Sequence, residues 1–199
     1  MTPDRGIDMP RELSDAELLR TPRLLLRRWT PQDAVAFLEI YSRWDVMRWL
    51  GAPPRRVVAD LAEARDRLQR WHDREIGLAA PLGLWALVVD GSQTVAPVGT
   101  VLLLPLDDAE GPTTHLEIGW HLHPAHQGRG LVTEAARELL RRAAVAGITR
   151  VIAVTDPDNV ASQAVTRRLG MVDEGLTDRW FGLTTRQFVW STHDVPTEA

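Results

Sequence analysis

The stretch from Leu116 to Ala135 constrains this chain more than any other part of it. Strand-like Leu116-Glu-Ile-Gly-Trp-His-Leu122 runs into a turn marked by Pro124. The glycine-rich bend Gln127-Gly128-Arg129-Gly130 follows, then an amphipathic helix from Leu131 to about Ala146 that Gly147 stops. A helix N-terminus exposes unpaired N–H groups and carries partial positive charge, so it attracts anions. Gly128 and Gly130 let the backbone approach a phosphate without a Cβ in the way, and Arg129 adds charge beside it. The unit reads as a pyrophosphate cradle, with a ligand-free tight turn as the alternative. A dinucleotide fingerprint is not met, because a third glycine and an early βαβ position are both missing.

The rest of the chain fits one domain around that unit. Leu24-Leu25-Leu26 is a buried-strand run. Thr30-Pro31-Gln32-Asp33 starts a helix to about Tyr41, with Thr as N-cap and Pro at the first position. A short helix over Trp44 to Leu50 is stopped by Gly51 and Pro53-Pro54, and apolar residues at helical spacing predict a longer one from Val57 to Glu75. Strands are expected over Leu82–Val89, Val95–Leu104 and His115–Leu122, then Arg150–Val154, Met171–Gly175 and Arg186–Trp190. The last helix is Asn159 to Leu169. The order β-α-α-β-β-β-α-β-α-β-β predicts an α+β fold with a mixed sheet. Residues 1–20 read as an N-terminal appendage, with a short helix started by Ser14-Asp15-Ala16-Glu17, residues 21–192 as the domain, and 193–199 as a tail.

Two absences limit the chemistry. Without cysteine there is no disulfide, thiolate zinc site or thiol nucleophile. Without lysine, all 23 basic side chains being Arg, there is no Walker-type phosphate loop and no Schiff-base chemistry. Group transfer must then use another nucleophile or pass directly from donor to acceptor. The net charge of -4 leaves no footprint for nucleic acid and leans toward a cationic molecule or an amine. The polar segment Met1–Leu13 is not a secretory signal, and no apolar run reaches a membrane span, so a soluble cytoplasmic protein is expected.

The whole segment around the bend resembles the Gcn5-related N-acetyltransferase (GNAT) family. That family's pattern is Gln or Arg, two residues, Gly, one residue, then Gly or Ala; Gln127, Gly130 and Val132 stand at those places, and Val132 departs from it. Thr133-Glu134-Ala135 resembles the subgroup that acetylates ribosomal-protein N-termini. So do Thr21-Pro22-Arg23-Leu24-Leu25-Leu26-Arg27, Asn159-Val160-Ala161-Ser162 and Leu169-Gly170-Met171. The resemblance covers about residues 21 to 192. It implies the GNAT fold and acetyl-CoA as donor, with its phosphates on Gln127, Gly128, Arg129, Gly130, Leu131, Val132 and Thr133. It further implies a splayed strand whose main chain at Trp120, Leu122 and His123 pairs with the pantetheine arm. The bulk of Val132 is expected to crowd the backbone there.

Asn159 stands where the family places a contact to the CoA arm, and it is equally a helix N-cap. Ser162, one turn on, stands where relatives place a hydroxyl that protonates the departing thiolate; its plain role is packing. Alternation puts His115, Glu117, Gly119 and His121 on one face of their strand, and Leu116, Ile118, Trp120 and Leu122 on the other. Glu117 resembles the acidic general base of relatives, and His121 is the next candidate because imidazole titrates near neutrality. A paired structural Glu and a core-satisfied His are the alternatives. His123 and His126 lack metal-ligand spacing, so no metal is expected. Trp44, Trp49 and Trp180 lie in segments that wall the acceptor pocket in the family, with packing as the plainer role for each.

The expected reaction is therefore acetyl transfer from acetyl-CoA to a primary amine by direct attack in a ternary complex. The acceptor, a small molecule or a protein N-terminus, is left open. A CoA-binding sensor without turnover is the alternative, and the edge of the last strand offers a homodimer surface.

Overall fold

The computed structural model describes residues 18–91, 95–108 and 110–192. The appendage up to residue 17, with its expected helix start at Ser14, and the tail from 193 lie outside the described residues. The chain forms β1 (Leu18–Arg20), β2 (Leu24–Arg28), α1 (Ala34–Tyr41), α2 (Trp44–Met47), α3 (Leu61–Glu75), β3 (Gly83–Val89), β4 (Gly99–Pro105) and β5 (Leu116–Leu122). It continues with α4 (Leu131–Val145), β6 (Arg150–Thr155), α5 (Val160–Arg168), β7 (Val172–Thr177) and β8 (Thr185–Ser191). All eight strands join one sheet in the order β1-β2-β3-β4-β5-β6-β8-β7. Only β5 and β6 pair in parallel. The expected α+β fold with a mixed sheet is the one observed.

Three local differences from the expectation have physical causes. Leu18 and Leu19, expected on a helix, form a strand instead: Leu19 faces Leu26 across the antiparallel pair and is buried. Covering the edge of β2 satisfies backbone groups that an isolated short helix would leave competing with water. The helix expected from Val57 begins only at Leu61, because the Asp60 side chain accepts from Glu63 N–H at 2.9 Å and caps it there. Val58 is still buried, but as extended chain whose N–H donates to the Tyr41 carbonyl. Thr30 does head a capping box with Asp33, but over a 3-10 turn, Pro31–Asp33, that precedes α1.

The sheet divides the core in two. On one face Leu131, Ala135, Ala136, Leu139, Leu140 and Ala143 of α4 pack on Leu24, Leu26, Trp85, Leu87, Val101, Leu103 and Ile118. Those α4 positions recur at helical spacing, so one stripe of the helix is dry. On the other face α1 and α3 bring Phe37, Ile40, Tyr41, Ala64 and Leu68 onto Leu84, Ala86 and Leu104. A smaller cluster of Leu106, Ile152, Trp180 and Val189 closes the far end. No helix among the described residues is long and apolar enough to cross a membrane. The consequence for function is positional. α4 and α5 both start at the C-terminal ends of the strands they follow, β5 and β6, which is where open sheets with such crossovers place ligands.

Candidate functional site

The two parallel strands separate almost as soon as they meet. Their register is a single pair, Glu117 opposite Ile152, whereas β5 stays paired with β4 along its whole length from Leu116 to Leu122. The parity of the ladder then decides which backbone groups are left. His123 N–H donates to Val98 O at 2.9 Å, on the β4 side, so alternation turns the main chain of Leu122 and Trp120 toward the opening beside β6. His123 itself is committed differently from expectation. Its N–H is held by Val98, its carbonyl accepts from His126 N–H, and its ring accepts from Ala125 N–H. Those bonds form the 3-10 turn Pro124–His126 that swings the chain into the bend.

The bend has the geometry of an anion cradle. Gly128 and Gly130 adopt φ of 73° and 74°, the left-handed region that disfavours any residue with a Cβ. A Cβ at Gly128 would meet nothing within 4 Å, and one at Gly130 only Arg23 at 3.6 Å, so packing is not what demands glycine there. The first bond of α4 runs from Glu134 N–H to Gly130 O at 3.0 Å. Among the described residues, the N–H groups from Gly128 to Thr133 have no protein acceptor. A run of outward N–H groups at a helix start, with exposed Arg129 beside it, suits a pyrophosphate. The side chains of Leu131, Val132 and Thr133 are buried. The bulk of Val132 is therefore taken up inside the protein.

The bend is fastened from a distance. Glu134, in the first turn of α4, accepts from Thr21 Oγ1, from Arg23 N–H at 2.9 Å and from Arg23 Nε at 2.6 Å. Arg23 also donates to the Arg129 carbonyl at 2.9 Å. The start motif Thr21-Pro22-Arg23 and the Thr133-Glu134-Ala135 motif are thus two halves of one clamp. The sequence gives no sign of that pairing, since more than a hundred residues separate them.

On the opposite face of β5, Glu117 and His121 meet different surroundings. Glu117 is half-buried and has no hydrogen-bond partner among the described residues. Desolvation pushes its carboxyl up to about 7; Arg74 opposes the shift and Asp107 reinforces it. His121 points into the aromatic layer, its Nδ1 2.9 Å from the Tyr41 hydroxyl, which is itself 2.8 Å from Thr100 Oγ1. Burial pulls its imidazole down to about 4, so it is neutral at physiological pH and a weak base. Of the two candidates, Glu117 is poised to exchange a proton near neutrality.

At the start of α5, Asn159 accepts from Ser162 N–H at 3.1 Å and so acts as the N-cap. The Ser162 hydroxyl is half-buried, with no partner among the described residues. Asn159→Ala should cost about 1 kcal/mol of stability through the lost cap alone. Equilibrium unfolding checks that figure, and a loss of CoA affinity beyond it would mark a second role.

A cavity of about 350 Å³ opens beside His121, walled by Phe37, Tyr41, Trp71 and the segment from Leu50 to Arg56. Trp44, Trp49 and Trp180, which the resemblance set in acceptor-pocket segments, do not line this cavity. Trp180 is fully buried, its indole N–H donating to Gln187, while Trp44 is exposed and Trp49 lies under the Arg48 guanidinium. Trp71 lines the cavity from α3, with its ring 5.5 Å from Tyr41 and 6.4 Å from His121. Its helical spacing marked it only as a core residue. No group of three or more His, Cys, Asp or Glu among the described residues could hold a metal ion.

Comparison with known proteins shows a family and a shared fold. Residues 23–172 match the family described as the acetyltransferase (GNAT) domain. The uncharacterised N-acetyltransferase p20 of Bacillus licheniformis is 27% identical over 161 residues, which is 80% of this chain and 85% of that protein. A GNAT-family acetyltransferase from Bacillus anthracis superposes with a TM-score of 0.70 at 22% identity, covering 87% of this chain and 98% of that one. RimJ of Mycobacterium smegmatis, solved with a CoA-disulfide, superposes with a TM-score of 0.68 at 18% identity, covering 87% and 84%.

Proposed function

Because the chain belongs to the GNAT acetyltransferase family and is an acetyl-CoA-dependent acetyltransferase, we propose that it moves the acetyl group directly to a primary amine, with Glu117 as general base. The observation that carries this reading is the position of Glu117. It is the β5 residue at which β6 diverges, with its carboxyl raised to about 7. Acetyl-CoA supplies an activated thioester. The N–H groups from Gly128 to Thr133, with Gln127 and Arg129 beside them, would take its phosphates, and the main chain of Trp120 and Leu122 its pantetheine arm.

Glu117 then accepts a proton from the amine, directly or through one water. The amine nitrogen forms a bond to the acetyl carbon while the carbon–sulfur bond breaks. The thiolate receives a proton at the Ser162 end of the opening, near the start of α5. No covalent acetyl-enzyme is involved, in keeping with a chain that has neither Cys nor Lys. The acceptor in this reading is a small-molecule amine or a protein N-terminus, and the reaction takes place in the cytoplasm.

Thiol release from acetyl-CoA across a panel of small amines and short peptides tests it. The chain has no cysteine, so a thiol reagent reports free CoA alone. Amine-dependent release is expected. Measurable CoA binding without release for any amine would leave a CoA-binding sensor instead.

A further inference from the structure

The cavity beside His121 has a local charge opposite in sign to that of the whole chain. The whole chain carries -4, yet the cavity is lined by Arg55, Arg56 and Arg67 and by no Asp or Glu. The two carboxylates paired with these cations are not among the residues that line the cavity. Glu63 is shared by Arg56 and Arg67 at 2.8 Å each, and Asp156 takes one nitrogen of Arg55 at 3.2 Å. Three guanidinium groups thus face two carboxylates, and the surplus is positive.

The three arginines are not equivalent. Arg55 is spent on structure: it donates to Gly51 O, Arg48 O and Asp156, pinning the segment before α3 to the end of β6. Arg56 is two-thirds exposed, where water screens it. Arg67 is largely buried, gives only Nε and Nη2 to Glu63, and keeps its Nη1 without a partner among the described residues. It stands one helical turn before Trp71, whose ring joins Phe37 and Tyr41 in the aromatic wall. The cavity therefore brings a cation with a free donor, an aromatic wall and His121 of β5 to one lining.

We infer that the acceptor is a small amphoteric amine, with its carboxylate on Arg67, an apolar or aromatic body against Trp71, and its amine directed to β5. This inference rests on the acetyl-transfer reading above and adds the substrate class to it. A guanidinium with free donors recognises a planar carboxylate in a way that water at the same place cannot. A polycation such as a polyamine meets repulsion in the same cavity.

The test compares amines that differ only by the carboxylate: L-phenylalanine with phenethylamine, L-tryptophan with tryptamine, and L-leucine with isoamylamine, with spermidine as the polycation. Thiol release from acetyl-CoA by the full chain should give kcat/KM at least about tenfold higher for the carboxylated member of one or more pairs. Arg67→Gln should abolish that ratio and Arg67→Lys retain part of it, with acetyl-CoA affinity as the control for folding. Calorimetric binding of N-acetyl-L-phenylalanine against N-acetylphenethylamine repeats the comparison without turnover. Equal or better use of the decarboxylated amines, equal binding of the acetylated pair, or a ratio that survives Arg67→Gln overturns the inference. Silence toward every amine would instead count against the transfer reading, and the binding comparison would still decide the inference.

Discussion

Glu117→Gln is expected to lower kcat by about 10²- to 10⁴-fold, the usual worth of a positioned proton acceptor, while acetyl-CoA binding stays within a few-fold of the wild type. The amide keeps the size of the side chain and removes its ability to take a proton. Because desolvation raises the Glu117 carboxyl to about 7, wild-type kcat/KM should climb as pH rises through that value and level off above it. The variant should show no inflection there. Steady-state rates between pH 5.5 and 9 measure both effects. An unchanged inflection in Glu117→Gln would assign the titration to another group and remove Glu117 from the chemistry.

The same residue carries a stability signature with the opposite sense. A carboxyl whose folded-state value is raised binds its proton more tightly in the native state than in the unfolded one. Its contribution is therefore fully present below its ordinary value of 4.5 and is lost as pH rises through about 7. Above that the native protein holds a desolvated charge. Glu117→Gln should accordingly be at least as stable as the wild type at pH 8 and lose that advantage toward pH 4. A residue that raises activity and lowers stability in the same pH range behaves as a functional group does, unlike a structural ion pair. His121 shows the contrast: its ring is tied to Tyr41, and burial keeps it neutral, so it serves as cavity wall.

What the sequence revealed and what it hid divide along a physical line. The bend, the strand before it and the faces of β5 were legible because each depends on neighbours a few residues away. Alternation put Ile118 and Trp120 on one face of β5 and His121 on the other; the structure packs the first two in the cluster with α4 and sets the third against Tyr41 of α1. The start of α3 was misread because Val57 and Val58 extend the helical apolar spacing, while Asp60 decides the boundary through one hydrogen bond. The cavity beside His121 was hardest to read. Trp71 looked like any core residue of an amphipathic helix, and Arg67 like any surface charge beside it. Only packing α3 against α1 and β5 turns those two into the wall of a cavity. Net charge could not show the sign of the cavity: it is a property of the whole surface, and the local sign depends on where each carboxylate is spent.

The clamp between the chain start and α4 yields the second large effect. Glu134→Ala removes the acceptor for Thr21 Oγ1, Arg23 N–H and the Arg23 guanidinium together. Burial alone would raise the Glu134 carboxyl, but the hydrogen bonds from Thr21 and Arg23 outweigh it and hold it below the usual carboxylate range. Charge-assisted hydrogen bonds of this kind contribute about 1.5–3 kcal/mol when lost, and the half-exposed Arg23 recovers part of that in water. Arg23 also holds the Arg129 carbonyl, so freeing it loosens the peptide between the two glycines. That peptide has no other side-chain tether among the described residues on its carbonyl, and its ordering would have to be supplied at the moment of binding. The expected result is a rise of roughly 10- to 100-fold in the KM for acetyl-CoA, with kcat at saturating donor changed far less. Arg23→Ala should reproduce most of the effect, and the double variant should add little to either single one, because both sever the same clamp. Additive losses in the double variant would mean that Glu134 acts at the α4 start independently of Arg23, and the clamp would be only two separate contacts.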